Sequence, residues 1–153
     1  MMINIMMQSS SSNNSLNKSQ IEDNVSLKKE DAAPRLLFID DDRAILDGYR
    51  FIFEGEGFIV DVATDSKIAL ELVKKHSYSI IVMDYILPGV RGDDLAEQIQ
   101  EINSSISLIF ISGQKSAEEE LQRRGLLVSG FFMKPLKTET LIDFIVSKNQ
   151  GID

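Results

Sequence analysis

Four apolar residues, Ile80-Ile81-Val82-Met83, run straight into Asp84, and a loop carrying Pro88, Gly89 and Gly92 follows at once. An unbroken apolar run this short, closed by turn residues, reads as a strand buried on both faces, as interior strands of parallel sheets are. Burial on both faces requires neighbouring strands at either edge and helices above and below. In open sheets of this kind ligands bind beyond the C-terminal ends of the strands, so Asp84 stands where chemistry is expected.

The rest of the chain supplies those neighbours. Leu36-Leu37-Phe38-Ile39 is a second short apolar run, ending in Asp40-Asp41-Asp42. Ile45, Tyr49 and Ile52 recur at helical spacing with Leu46 and Phe53 beside them, which predicts an amphipathic helix stopped by Gly55 and Gly57. A strand follows over 58–62. Thr64 or Asp65 can then cap a helix with Ile68 and Leu72 on one side and Ala69 and Val73 adjacent. Beyond the Ile80 strand and its loop come a helix over 93–102, a strand over 107–111, a charged helix over 116–124 and a strand over 131–133. A last helix over 138–147 shows Leu141, Ile142, Ile145 and Val146 on one face. Strands that alternate with helices in this way predict a parallel sheet wound on both faces by right-handed crossovers.

Residues 1–34 do not continue that pattern. Positions 8–17 are almost all Ser and Asn, and 21–34 are polar with mixed charge. Such a segment buries too little apolar surface to offset its ordering entropy. We read it as a disordered tail or linker, with a weak helical signal near Ile21, Val25 and Leu27, ahead of a folded domain over 35–150. Lys18, Lys28, Lys29 and Arg35 cancel Glu22, Asp23, Glu30 and Asp31, so the whole formal charge of −8 falls on 36–153. That excess argues against holding nucleic acid or anionic lipid through bulk charge. The chain has no cysteine, so disulfides and thiolate metal sites are excluded. With one histidine, His76, expected at a solvated helix end, Ser–His and Cys–His pairs have little material. No apolar run approaches a membrane span, and the apolar start at 1–7 is too short for a signal peptide; a cytoplasmic location is expected.

The strand ends carry the chemistry. The first gives Asp40, Asp41 and Asp42, the third Asp84, the fourth Ser112, and the fifth Lys134 ahead of Pro135. Gathered at one edge, the carboxylates repel and their pKa values rise unless a cation joins them. An oxygen-rich site with few protein ligands suits Mg2+ or Mn2+. An aspartate there can act as the nucleophile that accepts a phosphoryl group, and a hydroxyl and an ammonium would hold the phosphoryl oxygens. Taken singly, each residue has an ordinary explanation: Asp42 as a helix cap, Ser112 as a turn residue, Lys134-Pro135 as a strand exit. The conjunction is what singles them out.

On these residues 36–145 resemble the receiver (CheY-like) domain of two-component response regulators. The matching pieces are Asp40-Asp41 after strand one, Asp84 followed by Leu87-Pro88 and Gly92, Ser112-Gly113, and Lys134-Pro135. The resemblance implies a flavodoxin-like α/β fold, a doubly wound (βα)5 parallel sheet of order 2-1-3-4-5. It implies that a histidine kinase or phosphotransfer protein phosphorylates Asp84, and that Mg2+ is held by Asp40, Asp41, Asp84 and the backbone carbonyl of Ile86. Ser112 would be the switch hydroxyl, Phe131 the switch aromatic and Lys134 the phosphoryl partner. A downstream protein would read the face of the fourth helix, fifth strand and fifth helix. The protein would be a monomer or a phosphorylation-dependent dimer, without direct contact to nucleic acid or membrane. Because the chain ends soon after the last helix, the resemblance is to a stand-alone receiver. Beyond phosphotransfer to itself and slow loss of the group, no enzymatic activity is implied.

The departures are Leu87 for a common methionine, Ser112 for the commoner threonine, Phe131 where tyrosine is frequent, and Leu127-Val128 where many receivers carry Gly-Ala. Ile86 and Gln114 flank the path by which water would reach the phosphoryl group; an apolar Ile86 cannot orient water, so a long-lived aspartyl phosphate is expected. A second resemblance competes. Asp40-Asp41-Asp42 is similar to the Asp-x-Asp start of haloacid-dehalogenase-type phosphatases, with Asp40 as nucleophile and Asp42 as acid/base, although Ala44 departs from that family and no later Asp pair closes its metal site. A third reading is an interaction module that works without phosphorylation.

Overall fold

Successive residues of a strand face opposite sides, and in this chain both sides are apolar. The computed structural model describes residues 33–151. The tail expected over 1–34 lies outside them except for Ala33 and Pro34, which are neither helix nor strand. The elements run β1 (Arg35–Ile39), α1 (Arg43–Gly55), β2 (Ile59–Ala63), α2 (Ser66–Lys75), β3 (Ile80–Asp84), β4 (Ile86–Leu87), β5 (Val90–Arg91), α3 (Gly92–Ile102), β6 (Ser107–Ser112), α4 (Ser116–Arg123), β7 (Gly130–Met133) and α5 (Thr138–Asn149).

Among the described residues, five strands form one parallel sheet of order β2-β1-β3-β6-β7. This is the order 2-1-3-4-5 once the short β4–β5 hairpin is set aside. The interior strand β3 is buried at every position. Leu37, Ile39, Ile81, Met83, Leu108 and Phe110 face one layer with α2, α3 and α4, while Leu36, Phe38, Ile80, Val82, Ile109 and Ile111 face the other with α1 and α5. The winding reverses between β1 and β3. The connections that leave their C-terminal ends therefore diverge to opposite faces and open a crevice there.

The helices sit rotated from the reading of their periodicity. In α1 the buried residues are Leu46 and Phe53, and Ile45 is 38% exposed. In α2 they are Ala69 and Val73, and Ile68 is exposed. Aromatic packing sets the first rotation: Phe38 stacks on Tyr49 at 4.9 Å and meets Phe53 at 5.1 Å, which turns that face inward and leaves Ile45 and Ile52 at the rim. For α2, the carboxylate of Asp65 accepts from the Ile68 N–H at 2.9 Å, so Asp65 is the cap. His76 ends α2 half-buried, its ring edge-on to Tyr78, rather than fully solvated.

The loop after Asp84 is more ordered than a plain turn. Ile86 and Leu87 pair antiparallel with Arg91 and Val90. The turn brings Gly92 against the backbone that leaves β3: a Cβ there would lie 2.8 Å from both Cα and the carbonyl oxygen of Tyr85. Glycine is needed at this position for close approach, since the neighbouring atoms are backbone and cannot yield. Replacing Gly92 by Ala should cost about 1–3 kcal/mol, the usual range for overpacking, read as a lower urea midpoint at unchanged slope; an unchanged midpoint would show that the hairpin can move aside.

Candidate functional site

The sheet register brings the site together. Asp84 closes β3 opposite Ile111 of β6, Ser112 is the next residue of β6, and its own partner on β7 is Met133, which precedes Lys134. Each strand thus delivers its polar residue one step beyond its neighbour's last apolar one. Asp40 follows β1, with its N–H donating to the carbonyl of Ala63 at 3.2 Å.

Asp84 is 9% exposed and its carboxylate has two partners: the Ile86 N–H donates to Oδ1 at 3.0 Å and Lys134 Nζ to Oδ2 at 2.8 Å. Asp40, 8% exposed, accepts from the Asp42 N–H at 2.8 Å. Asp40, Asp41 and Asp84 each offer a carboxylate oxygen, and these lie within 4.8 Å of one another. Burial first, and the charge of Asp84 beside it, push the Asp40 carboxyl above its ordinary value despite the bond from Asp42. Burial alone would lower the Lys134 ammonium, but the bond and charge of Asp84, with Asp40, outweigh it and hold the group above its ordinary value.

This is the chemistry of a cation site: buried, mutually repelling oxygens with one exposed member, Asp41, at the mouth. The donor set fits a hard divalent ion. Asp42 does not join it, because its carboxylate turns to the first turn of α1 and accepts from the N–H groups of Ala44 at 3.0 Å and Ile45 at 3.3 Å. The structure therefore makes Asp42 a cap, which leaves the phosphatase reading without its acid/base.

Ser112 is completely buried, and its Oγ accepts from the Gln114 N–H at 2.9 Å. Phe131 lies half-buried against the layer beneath α4. Ile86, two residues after Asp84, is 49% exposed. The Lys134–Pro135 peptide is cis.

Two features escaped the sequence. Tyr49, counted there only as a helix-face residue, is half-buried between Asp40 and Lys134 and lines an apolar cleft of about 620 Å3 with Ile45, Ile111, Lys134 and Leu136. Its neighbourhood could be found only once α1 was placed. Second, Asp93, at the start of α3, is 0% exposed yet carries a carboxylate. Nothing in the run Gly92-Asp93-Asp94 marks the first acid for burial.

An open α/β sheet with a carboxylate cluster, a hydroxyl and an ammonium at its C-terminal edge defines a class of phosphoryl-responsive domain, and the comparisons make the class specific. The pattern of the response regulator receiver domain matches residues 36–146. The chain belongs to that family, and is a receiver of two-component phosphorelay signalling. Among relatives, the response regulator protein TodT of Pseudomonas putida is 26% identical over 115 residues, 75% of this chain and 51% of the relative. The sensory transduction protein RegX3 of Mycobacterium tuberculosis is 27% identical over 107 residues, 70% of this chain and 47% of the relative. The chain spans about half the length of the curated relatives it matches. A receiver domain protein (CheY-like) from Methanospirillum hungatei superposes with a TM-score of 0.71 at 28% identity, covering 76% of this chain and 93% of that one. Chemotaxis protein CheY4 of Vibrio cholerae, at 20% identity, shares the fold with a TM-score of 0.68, over 75% and 98%. The sheet order expected from the resemblance, flavodoxin-like and doubly wound, is the one observed. Among the described residues, no helix is long and apolar enough to cross a membrane.

The raised Asp40 carboxyl has a consequence for stability. A carboxyl whose folded pKa lies above its unfolded value opposes folding when ionised; the opposition is full above the folded pKa and disappears as pH falls to the unfolded one. In a metal-free buffer with chelator, Asp40→Asn should raise Tm at neutral pH, and the gain should shrink toward pH 4. A gain independent of pH would point to some cause other than charge.

Proposed function

We propose that this chain is a phosphorylation-controlled switch in which Asp84 accepts a phosphoryl group from the phosphohistidine of a histidine kinase or phosphotransfer protein. The observation that carries the reading is the carboxylate of Asp84 held between the Ile86 amide and Lys134, beside Asp40 and Asp41. A carboxylate oxygen of Asp84 forms the new P–O bond as the donor's P–N bond breaks, and the histidine nitrogen leaves with a proton from solvent. Asp40, Asp41, Asp84 and the Ile86 carbonyl would hold Mg2+ or Mn2+. Once bound, the ion would neutralise the oxygens of the transferring group.

The side chains of this chain do the rest. The Ile86 N–H and Lys134 hold the carboxylate in a fixed orientation. After transfer Lys134 follows the added charge to the phosphoryl oxygens. Ser112, whose hydroxyl engages the Gln114 N–H in the structure described here, turns toward the phosphoryl group, and Phe131 moves in behind it. The new charge thereby biases a two-state equilibrium across α4, β7 and α5, and a downstream protein reads that face, as a monomer's surface or as the contact of a phosphorylation-dependent dimer. Residues 35–150 form the receiver unit, 1–34 act as its tail, and the protein works in the cytoplasm on protein partners.

Incubation with acetyl phosphate and Mg2+ should add one phosphoryl group by intact mass, absent in Asp84→Asn. Steady phosphate release without an adduct would instead revive an enzyme acting through Asp40.

Ile86, exposed and apolar two residues after Asp84, offers water no hydrogen bond from its side chain. Replacing it with Asn, which can orient water by hydrogen bonding, should shorten the life of the aspartyl phosphate by roughly tenfold, the effect of about 1.4 kcal/mol on the barrier; decay that is equal or slower would remove Ile86 from the account.

A further inference from the structure

The two ends of α4 are held very differently. At its C-terminal end Arg124 reaches across to α3. Its Nη1 lies 3.1 Å from Oδ2 of Asp93 and 2.7 Å from Oδ1 of Asp94, and its Nη2 donates to Oε1 of Glu97 at 2.9 Å. The sequence separations are 30 residues to Asp94 and 27 to Glu97, so this contact belongs to the tertiary fold and not to a local turn. Asp93, fully buried, is itself gripped from the hairpin: Arg91 donates Nε to Oδ1 at 3.2 Å and Nη2 to Oδ2 at 2.8 Å, and the Tyr85 hydroxyl lies 3.3 Å from Oδ2. Gln100 of α3 adds a bond to the Leu127 carbonyl just past α4 at 2.9 Å.

The N-terminal end has no such anchor. Lys115 precedes the helix without a side-chain cap, and Gln114, Lys115 and Ser116 are exposed. The side-chain contact there is the Ser112 Oγ accepting from the Gln114 N–H. Between the ends, α4 buries only Ala117 and Leu121. So short a helix with so small an apolar footprint is positioned by its ends.

Exposed ion pairs contribute little to stability. This network differs because its centre is a fully buried carboxylate, whose bidentate and shared partners cannot be removed without leaving a charge out of water. The two arginines bonded to Asp93 come from different elements, the β4–β5 hairpin and the end of α4, so they tie α4 to the hairpin that follows Asp84 as well as to α3.

We infer that the Arg124–Asp93 clamp is the fixed pivot of α4: the C-terminal end stays pinned to α3, and rearrangement at Ser112 moves only the end at Gln114–Ala117. The inference rests on the phosphoacceptor reading for its trigger, but the clamp stands on contacts remote from Asp84. Arg124 is then a positioning residue. It converts loss of one hydrogen bond at Ser112 into a directed swing, where an unpinned helix would loosen as a whole.

Residue-resolved amide exchange and chemical shifts by NMR test this, with beryllofluoride and Mg2+ as the phosphoryl mimic. In the unmodified protein the mimic should shift the amides of 113–118 and leave exchange at 121–125 within about twofold. Arg124→Gln should speed exchange at 121–125 by tenfold or more without the mimic, leave β1 and β3 amides protected, and let the mimic's shifts spread along the whole helix. Because Arg124→Gln leaves Asp93 short of a partner and could unfold the chain, Asp94→Asn with Glu97→Gln serves as the second variant. It strips Arg124 of its exposed partners only, and should give the same pattern at lower amplitude. Exchange at 121–125 unchanged in both variants would overturn the clamp, and mimic shifts that cover 121–125 as strongly as 113–118 in the unmodified protein would overturn the pivot. Intact mass after acetyl phosphate treatment separates the two readings: no adduct counts against Asp84 as acceptor and removes the pivot's trigger, while mimic-free exchange still decides the clamp.

Discussion

Lys134 and Asp84 come from positions 50 residues apart and meet at 2.8 Å. The rest of the site depends on that contact. Without the ammonium, Asp84 and Asp40 would face each other as buried like charges, and burial already pushes Asp40 toward its neutral form. With it, one carboxylate is paired and oriented, and a small cluster of oxygens can sit at a sheet edge that is otherwise packed with apolar side chains. The parallel register that brings the ends of β3, β6 and β7 into steps is what permits the reach.

The same edge shows how a receiver stores responsiveness in a rigid frame. The interior strands are buried on both faces and leave no room for adjustment. Freedom is confined to elements that pack lightly: the entry to α4 and half-buried Phe131. Ser112 belongs to both groups, completely buried in β6 yet holding the first amide of the α4 approach. A change at Asp84 therefore has a short path to a movable element. The Asp93 network marks where that mobility stops.

Much of this was legible in the residues. Short, largely apolar runs signal the five main strands, and the acids, hydroxyl and lysine at strand ends stand out because each terminates such a run. The alternation of strands with helical periods implied a parallel sheet, and the resemblance supplied the order observed. Helix rotation was less accessible. Ile45 fits an apolar stripe as well as Leu46 does, and the packing of Phe38 against both Tyr49 and Phe53 chose between them. Asp42 was ambiguous for a related reason: a carboxylate before a helix can serve a cap or a cation, and only the direction of its side chain decides.

The sequence by itself determined where the strands end and which polar groups stand there, because burial and turn chemistry are written in neighbouring residues. The tertiary structure alone decided what those groups touch. Asp93 looks no different from Asp94 in the chain, yet one is sealed beneath two arginines and the other lies at the surface. Ion pairs carry no periodicity, and an arginine thirty residues away has no local signal that marks its partner; only packing α4 against α3 brings them within reach.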